Sequence, residues 1–249
     1  KTTSKYRGAV MAKQAKATKS SGGDNFTRWL VIGMVTLVVA TGAIFSVVGQ
    51  KSKANESFSI LKDFKVGPTV ASTVDDANGA GITFSNGAAK TIDLWEDPQC
   101  PVCNTFEQAN GEFIDDLVRT KKANVVYHVV SFLGNESVAA ANAAYCAADE
   151  GRYLDFHKAM YLVQPVLENS GFYSTENLIK IGTYAGLTTS TFSDCVTKGS
   201  KLDKVRAAYE SMTKYKVQGT PTVFFNGKLW ERKNNAFLLE EFTAAFEAS

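Results

Sequence analysis

Two cysteines separated by two residues, Cys100 and Cys103, are the side chains of this sequence best suited to chemistry. Such a C-x-x-C pair exchanges electrons between a dithiol and a disulfide, or supplies half of a zinc site. Zinc usually takes four ligands, often from two such pairs or from a pair with nearby histidines. The other two cysteines, Cys146 and Cys195, stand apart in the sequence. We therefore favour the redox pair and expect no metal and no cofactor.

The two histidines do not change this preference. His128 falls within a predicted strand, and His157 falls on the apolar face of a predicted helix. Neither is grouped with a cysteine. We expect both to be core or rim residues and not metal ligands.

The position of the cysteine pair predicts an activated thiolate. Cys100 follows a predicted strand and opens a helix, and Pro101 suits the first helical turn because its missing N–H costs nothing there. The free N–H groups and the dipole of a helix start stabilise an anion, so they lower the pKa of the Cys100 thiol. We predict that Cys100 is the exposed, attacking sulfur and that Cys103, one turn inward, is the shielded resolving partner. Pro101 and Val102 form the dipeptide between them.

The elements before and after the pair predict an α/β fold. A hairpin is predicted over 82–95, because Asn86-Gly87 is a strong hairpin signal between two apolar runs. Apolar residues at three- and four-residue spacing over 106–117 predict a helix, and the β-branched run 123–132 predicts a buried strand. Strand, helix and strand in that order predict a βαβ unit with parallel pairing.

The second half of the chain predicts a helical block followed by a return to strands. Residues 137–215 are predicted to be helical throughout, with one helix capped by Ser174 and ending near Gly186. A second hairpin is predicted over 222–230, and a final helix over 237–246. The whole order predicts a mixed sheet with helices on both faces, interrupted by an inserted helical subdomain.

Cys146 and Cys195 both fall in this helical block. Buried free cysteines are common, so two core thiols are one interpretation. The other is a structural disulfide, which an oxidising compartment favours. Closing a loop of about 50 residues stabilises a fold by roughly 4 kcal/mol in the chain-entropy model. We favour the disulfide.

The N-terminal part of the chain predicts a membrane anchor. Residues 29–50 carry no charge, and at about 1.5 Å per residue a helix there reaches roughly 33 Å, enough to cross a bilayer core of about 30 Å. A cleaved signal peptide is the alternative, although its apolar region is usually shorter. We predict a basic cytoplasmic tail over 1–28, a transmembrane helix over 29–50, a linker over 51–78, and an extracytoplasmic domain over 79–249.

Composition and charge exclude several other classes. The chain has 249 residues, of which 45% are hydrophobic and 21% charged, as in ordinary globular proteins. Seven Lys or Arg residues lie within 1–28, and the remainder holds 20 basic and 24 acidic residues. The net charge of +2 argues against a protein that coats nucleic acid, and we expect no nucleic-acid partner.

A second short motif, Gly219-Thr220-Pro221-Thr222, precedes the predicted third strand. Together with the run from Glu96 to Cys103, the helical insertion and the predicted anchor, it resembles the DsbA-like thiol–disulfide oxidoreductases of the thioredoxin superfamily. The arrangement is similar to membrane-anchored forms of Gram-positive actinobacteria. The resemblance covers roughly residues 80–249, and it implies a thioredoxin-like fold with an inserted helical subdomain, preceded by a single transmembrane helix.

The resemblance also implies roles for particular residues. It implies that Pro221 is cis and lies against the Cys100–Cys103 pair, and that the backbone of Thr220 binds an extended substrate segment. A bridge such as Cys146–Cys195 occurs in some relatives.

Two departures from the family pattern bear on the chemistry. Leu94 stands where the family often carries a buried acid, and the neighbouring Asp93 points to the other face of the strand, which leaves open how Cys103 exchanges its proton. Val102 stands where the best-known oxidases have histidine, which predicts a less oxidising pair.

Three functions fit these observations. The first is an oxidase that transfers the Cys100–Cys103 disulfide to reduced, exported polypeptides; the resemblance implies a membrane reoxidase of the DsbB or VKOR type as its partner. The second is a disulfide isomerase or reductase of the same fold. The third is a thioredoxin-fold module that handles a metal. The segment between the predicted membrane helix and Ile82 is too short for an added dimerisation domain, so we expect a monomer.

Overall fold

The computed structural model describes residues 57–233 and 236–249. The predicted basic tail 1–28 and membrane helix 29–50 lie outside this part of the chain. Among the described residues, no helix combines the length and the apolar character needed to span a bilayer.

The centre of the fold is a mixed sheet. In the described residues it has six strands: β1 (Thr73–Asp75), β2 (Gly81–Phe84), β3 (Thr91–Glu96), β4 (Asn124–Val129), β5 (Thr222–Phe225) and β6 (Lys228–Leu229). Their spatial order is β1-β2-β4-β3-β5-β6. β3 and β4 are the central pair, and their inward side chains are buried.

The predicted βαβ unit is confirmed. β3 runs parallel to β4, and helix α1 (Pro101–Arg119) connects them. The apolar positions of α1, such as Phe106, Ile114 and Leu117, are buried, because their spacing puts them on one face of the helix. This unit places Cys100 directly between the end of β3 and the start of α1.

The first predicted hairpin is wrong. β2 pairs antiparallel with β4, and β4 lies between β2 and β3. The Asn86 amide explains the difference, because it donates to the carbonyl oxygens of Val118 (3.3 Å) and Ala123 (2.9 Å). The Asn86 N–H also donates to Asn124 Oδ1 at 2.8 Å. The 85–90 segment is thus held at the end of α1 and the start of β4, and does not fold back as a tight turn.

The second predicted hairpin is confirmed, since β5 pairs antiparallel with β6. β5 is also antiparallel to β3, with Thr222 opposite Trp95. The chain that enters β5 therefore arrives at the same end of the sheet at which β3 leaves. This pairing carries the Thr220–Pro221 segment to the cysteine pair. The last helix, α7 (Leu239–Glu247), packs Phe242 against the core.

The inserted block is helical, although not throughout as predicted. It comprises α2 (Asn135–Asp149), α3 (Tyr153–Leu162), α4 (Thr175–Tyr184), α5 (Ser190–Lys198) and α6 (Leu202–Lys214). A non-helical segment over 163–174 separates α3 from α4. Ser174 caps α4 as expected, because its hydroxyl accepts from the Asn177 N–H. Gly186 has a φ of 85°, which accounts for the glycine soon after the end of α4.

The prediction of a linker over 51–78 is wrong for its described part. Phe58 and Leu61 are buried in the core, and β1 pairs with β2. The Val70 N–H donates to the Gly151 carbonyl at 2.9 Å. Its polar composition hid this packing, because only isolated apolar residues and a three-residue strand hold the segment to the domain.

Candidate active site

Cys100 is the N-cap residue of α1. Its sulfur accepts a hydrogen bond from the Cys103 N–H at 3.3 Å, one of the free donors of the helix start. Pro101 occupies the first turn, and Val102 is 48% exposed between the cysteines. Both cysteines are free thiols in the structure. Cys100 is 6% exposed, which is less open than the sequence analysis expected, and Cys103 is 0% exposed.

The surroundings shift the pKa values of the two thiols in opposite directions. The hydrogen bond from the Cys103 thiol lowers the pKa of Cys100 to about 6, against the effect of burial. The side chain of Thr220 and the backbone N–H groups of Val102 and Cys103 lower this pKa further. Burial, together with the bond to Cys100 and the charge of Glu96, raises the pKa of Cys103 well above its ordinary value. At neutral pH Cys100 is therefore the ionised, nucleophilic sulfur, and Cys103 is the protonated one.

Thr220 and Pro221 lie against the pair. The Thr220–Pro221 peptide bond is cis. The Cys100 sulfur is 3.6 Å from the Thr220 carbonyl oxygen, although the two residues are 120 positions apart in the sequence. A groove of about 550 Å³ runs along this segment, lined by residues 216–222, Phe224 and Leu229. The structure thus brings all of the proposed active-site residues together.

The loop before Cys100 is fixed by Asp97, a residue that the sequence analysis did not single out. The Asp97 carboxylate accepts from the N–H groups of Gln99 (2.9 Å), Phe132 (2.9 Å) and Leu133 (3.1 Å), and from the Ser137 hydroxyl (2.6 Å). Asp97 is 0% exposed, so these bonds replace its lost hydration. The chain leading to Cys100 is held in one conformation as a result.

The non-helical segment after α3 also supports this loop. The Gln164 amide donates to the carbonyl oxygens of Pro98 (2.8 Å) and Cys100 (3.1 Å). The Asn169 N–H donates to Gln99 Oε1 at 2.6 Å. The inserted subdomain therefore contacts the active-site loop directly. No pattern in the sequence pointed to these contacts, because they join residues more than sixty positions apart.

A buried group of ionisable side chains lies behind the pair. His157 Nε2 is 2.9 Å from Glu96 Oε2, and His157 Nδ1 is 3.7 Å from Glu107 Oε2. His157 is buried, as its place on an apolar helix face predicted. The two acids beside it were not predicted. The sequence could have indicated both acids. Glu96 shares a strand face with Leu94, and Glu107 lies one helical turn after Cys103.

Potential metal donors in the described part of the chain cluster at this same group. The donor atoms of Glu96, Glu107 and His157 lie within 4.8 Å of one another, and neither active-site cysteine belongs to the set. The Glu96–His157 contact is at hydrogen-bond distance, whereas the His157–Glu107 contact is longer than a hydrogen bond.

Asp93 and the Cys146–Cys195 bridge, which the sequence also pointed to, are not among the residues that contact the active-site pair. Asp93 Oδ1 is 3.8 Å from His128 Nε2, and the His128 ring stacks on Trp95. Cys146 on α2 and Cys195 on α5 are joined by a disulfide with an S–S distance of 2.04 Å. This bridge links two helices of the insertion, and Cys146 is 1% exposed.

Residues 53–247 match the protein family described as Thioredoxin, and the chain belongs to this family. It is similar to the reduced disulfide bond oxidoreductase DsbG of Mycobacterium tuberculosis, with 28% identity, a TM-score of 0.56, and coverage of 64% of this chain and 77% of that one. Reduced DsbA of the same species gives 28% identity, a TM-score of 0.55, and coverage of 64% and 81%. MdbA of Corynebacterium matruchotii, at 20% identity, shares the fold, with a TM-score of 0.62 and coverage of 76% and 98%.

A curated relative gives a shorter match. The serine/threonine-protein kinase PknE of Mycobacterium tuberculosis is 30% identical over 161 residues, which is 56% of this chain and 27% of the kinase. The chain spans about a quarter of this relative's length, so no kinase activity follows from the match.

The fold, the C-x-x-C pair and these relatives define the class of the protein. It is a thiol–disulfide oxidoreductase of the DsbA type, with a thioredoxin-like domain built from a mixed sheet and surrounding helices.

Proposed function

We propose that this protein oxidises reduced, exported polypeptides outside the cytoplasm by giving them its Cys100–Cys103 disulfide. The observation that carries the proposal is the asymmetry of the pair. Cys100 has a lowered pKa and some exposure beside the Thr220–Pro221 groove, whereas Cys103 is fully buried. A stabilised Cys100 thiolate is a good leaving group and also favours the reduced form, which makes the disulfide a better oxidant.

The reaction proceeds in two exchanges. A substrate thiolate attacks the Cys100 sulfur, the Cys100–Cys103 bond breaks, and Cys103 leaves with the electron pair and takes a proton. A second thiolate of the substrate then attacks the substrate sulfur that is bonded to Cys100, and Cys100 leaves as a thiolate. The substrate loses two electrons and the enzyme gains them. A membrane reoxidase of the DsbB or VKOR type then restores the disulfide.

The substrate binds along the groove beside Cys100. The backbone of Thr220 lies next to the reacting sulfur and offers hydrogen bonds to an extended segment. The apolar walls, which include Phe224 and Leu229, suit the side chains of an unfolded polypeptide. Binding through the backbone makes few demands on substrate sequence, as a general oxidase requires.

The chain works as a monomer anchored to the cell membrane. The uncharged run 29–50 after a basic tail supports a single transmembrane helix with a cytoplasmic N-terminus. The Cys146–Cys195 disulfide supports an oxidising location for the domain.

Val102 favours a second candidate function. An uncharged residue between the cysteines removes one source of thiolate stabilisation, which suits an isomerase or a reductase. The reduction potential distinguishes the two, because about −120 mV is typical of a strong oxidant and about −270 mV of a reductant.

The test uses the full chain in detergent with a reduced, unfolded substrate protein. We expect the oxidised enzyme to form substrate disulfides, and we expect Cys100→Ser to abolish this. Cys103→Ser should accumulate a mixed disulfide through Cys100. A mixed disulfide that is trapped only in Cys100→Ser would reverse the two roles.

A further inference from the structure

One side chain of the inserted subdomain holds two backbone carbonyl groups of the loop that carries Cys100. Gln164 lies just after α3, and its backbone N–H donates to the Tyr161 carbonyl at 3.2 Å. Its side-chain amide donates to the carbonyl oxygens of Pro98 at 2.8 Å and of Cys100 at 3.1 Å. An amide nitrogen has two N–H groups, so both donors are used on this loop. Gln164 therefore connects the peptide groups before Gln99 and after Cys100.

The bond to the Cys100 carbonyl fixes the conformation of the reacting residue. The same carbonyl accepts from the Asn104 N–H at 3.1 Å, which is the first backbone bond of α1. With a φ of −68° and a ψ of 115°, Cys100 is extended, and its sulfur accepts from the Cys103 N–H at 3.3 Å. Rotation about ψ would move the carbonyl away from its donors. The Gln164 bond therefore opposes a rotation that would carry the sulfur away from the helix start.

The end of α3 supplies a further donor to the same loop. The hydroxyl of Tyr161, which lies three residues before Gln164, donates to the Asp97 carbonyl oxygen at 3.1 Å. The Asp97 carbonyl also accepts from the Cys100 N–H at 2.9 Å, which closes the turn that leads into Cys100. Side chains of the insertion thus hold this turn at the carbonyl oxygens of Asp97, Pro98 and Cys100.

These bonds also change the electrostatic surroundings of the sulfur. A carbonyl oxygen carries partial negative charge, and such a charge beside a thiolate disfavours the ionised form. The N–H groups of Gln164 partly cancel the charge on the oxygens of Pro98 and Cys100. The Gln164 amide is itself uncharged at every pH, so it has this effect without titrating.

We propose that Gln164 is a positioning residue for Cys100: its amide fixes the Cys100 carbonyl and so keeps the sulfur at the start of α1, where a thiolate is stabilised. The inference rests on the proposed function, in which Cys100 is the reacting sulfur. When Cys100 leaves the mixed disulfide, its sulfur takes the electron pair of the broken bond at a place where the Cys103 N–H already faces it. The inserted subdomain thereby acts on the exchange through the backbone of the loop.

Other groups act on the Cys100 sulfur and stay constant when Gln164 is replaced. They are the thiol of Cys103 on the same helix, the carboxyl of Glu96 at the end of β3, and Thr220 before β5. An uncharged substitution of Gln164 leaves each of them in place. A change in the pH profile of Cys100 therefore reports the position of the sulfur and the donors around it.

A purely structural role of Gln164 makes a different prediction. If Gln164 only keeps the loop folded, its loss slows the reaction of Cys100 by the same factor at every pH. If Gln164 keeps the thiolate stabilised, its loss slows the reaction at low pH. The rate at high pH then stays nearly the same, because Cys100 is ionised there with or without Gln164.

The experiment measures the alkylation of Cys100 by iodoacetamide from about pH 4 to about pH 9, with mass spectrometry as the readout. It uses the full chain in detergent, with Cys100 and Cys103 reduced and the Cys146–Cys195 bridge intact. In the alkylation the Cys100 thiolate forms a bond to the reagent's carbon, and iodide leaves with the electron pair. Thermal unfolding checks that each variant is folded.

Three variants separate the roles of the amide. Gln164→Met removes both N–H donors and keeps an unbranched side chain of similar length. Gln164→Asn keeps an amide that is shorter by one methylene, so we expect a partial loss of the two bonds. Gln108→Met is the matched control, because the exposed Gln108 amide donates along α1 to Asn104 Oδ1 at 3.0 Å.

We expect Gln164→Met to slow the alkylation of Cys100 about tenfold near pH 5 and to change it less than about threefold near pH 9. This places the midpoint of the profile about one pH unit higher than in the unsubstituted protein. Gln164→Asn should shift the midpoint in the same direction by less, and Gln108→Met should leave it unchanged. In equilibrium with glutathione near neutral pH, Gln164→Met should favour the Cys100–Cys103 disulfide about fivefold more, because its thiolate is less stabilised.

Two results would overturn the proposal. One is a Gln164→Met profile with the midpoint of the unsubstituted protein, even if its rate is lower at every pH. The other is a shift of the same size in Gln108→Met. If Gln164→Met does not fold, the midpoint of Gln164→Asn decides between the two accounts. Failure to oxidise a polypeptide would count against the proposed function instead, because the alkylation needs neither a polypeptide substrate nor a reoxidase.

Discussion

The chain carries two cysteine pairs, and each pair can form a disulfide. One pair is a reactive dithiol, and the other is a structural bridge. Cys100 and Cys103 are three positions apart at a helix start, are free thiols, and differ in pKa. Cys146 and Cys195 are separated by 49 positions and are bonded between two helices. In the first pair, local donors stabilise a thiolate and so favour opening. In the second, the bridge closes a long loop and joins two helices of the insertion.

Removing a sulfur from each pair gives the largest expected contrast. Cys100→Ser should lower the rate of polypeptide oxidation on the order of a thousandfold or more, because it removes the reacting atom. The Cys146→Ala, Cys195→Ala double variant should keep its rate at temperatures where it is folded. A fluorescence assay of substrate disulfide formation measures both. Equal losses in the two variants, with both folded, would erase the distinction between the pairs.

Stability should show the reverse order. Loss of the Cys146–Cys195 bridge releases a loop of 49 residues in the unfolded chain and should lower the free energy of unfolding by about 4 kcal/mol. Urea denaturation measures this change. Cys100→Ala with Cys103→Ala is the control, and it should cost clearly less than the loss of the bridge. A larger loss in the control would show that the active pair, and not the bridge, holds the fold.

Titration should separate the two active-site sulfurs from each other. Alkylation of Cys100 should rise to half its maximum near pH 6, since its pKa is lowered to about 6, while Cys103 in Cys100→Ser should stay unreactive there. Because the pKa of Cys100 is lower in the folded protein than in the unfolded chain, its ionisation stabilises the fold at a pH above the unfolded pKa. This stabilisation is lost as the pH falls through about 6. The reduced protein should therefore lose stability relative to the oxidised protein as pH falls from 9 to below about 6. Mass spectrometry after timed alkylation measures the first effect. A midpoint near that of a free cysteine would contradict it.

The smallest expected effect is a change in potential. Val102→His places a cation beside the Cys100 thiolate and should raise the reduction potential by about 30 mV, which corresponds to about 1.4 kcal/mol for two electrons. Equilibration with glutathione measures it. Val102→Leu is the matched control and should leave the potential nearly unchanged. A shift of the same size in both variants would indicate a packing effect instead of a charge effect.

Parts of the fold followed from the sequence because they depend on neighbouring residues. The β3-α1-β4 unit and the β5-β6 hairpin were predicted correctly from periodicity and turn residues. The predicted hairpin over 82–95 was wrong because Asn86 binds the end of α1. A turn signal alone does not decide which strand a neighbouring strand pairs with. Residues 57–78 joined the domain through a few apolar contacts, too sparse to form a pattern.

The candidate site divides in the same way. The sequence by itself determined the reactive pair, because the cap, the proline and both sulfurs lie within four consecutive residues of one helix start. Only the tertiary structure decided what surrounds it. Thr220 reaches Cys100 across 120 positions, and His157 reaches Glu96 across 61. Such contacts depend on how strands order and helices pack, which the whole core decides together, so no local spacing could reveal them.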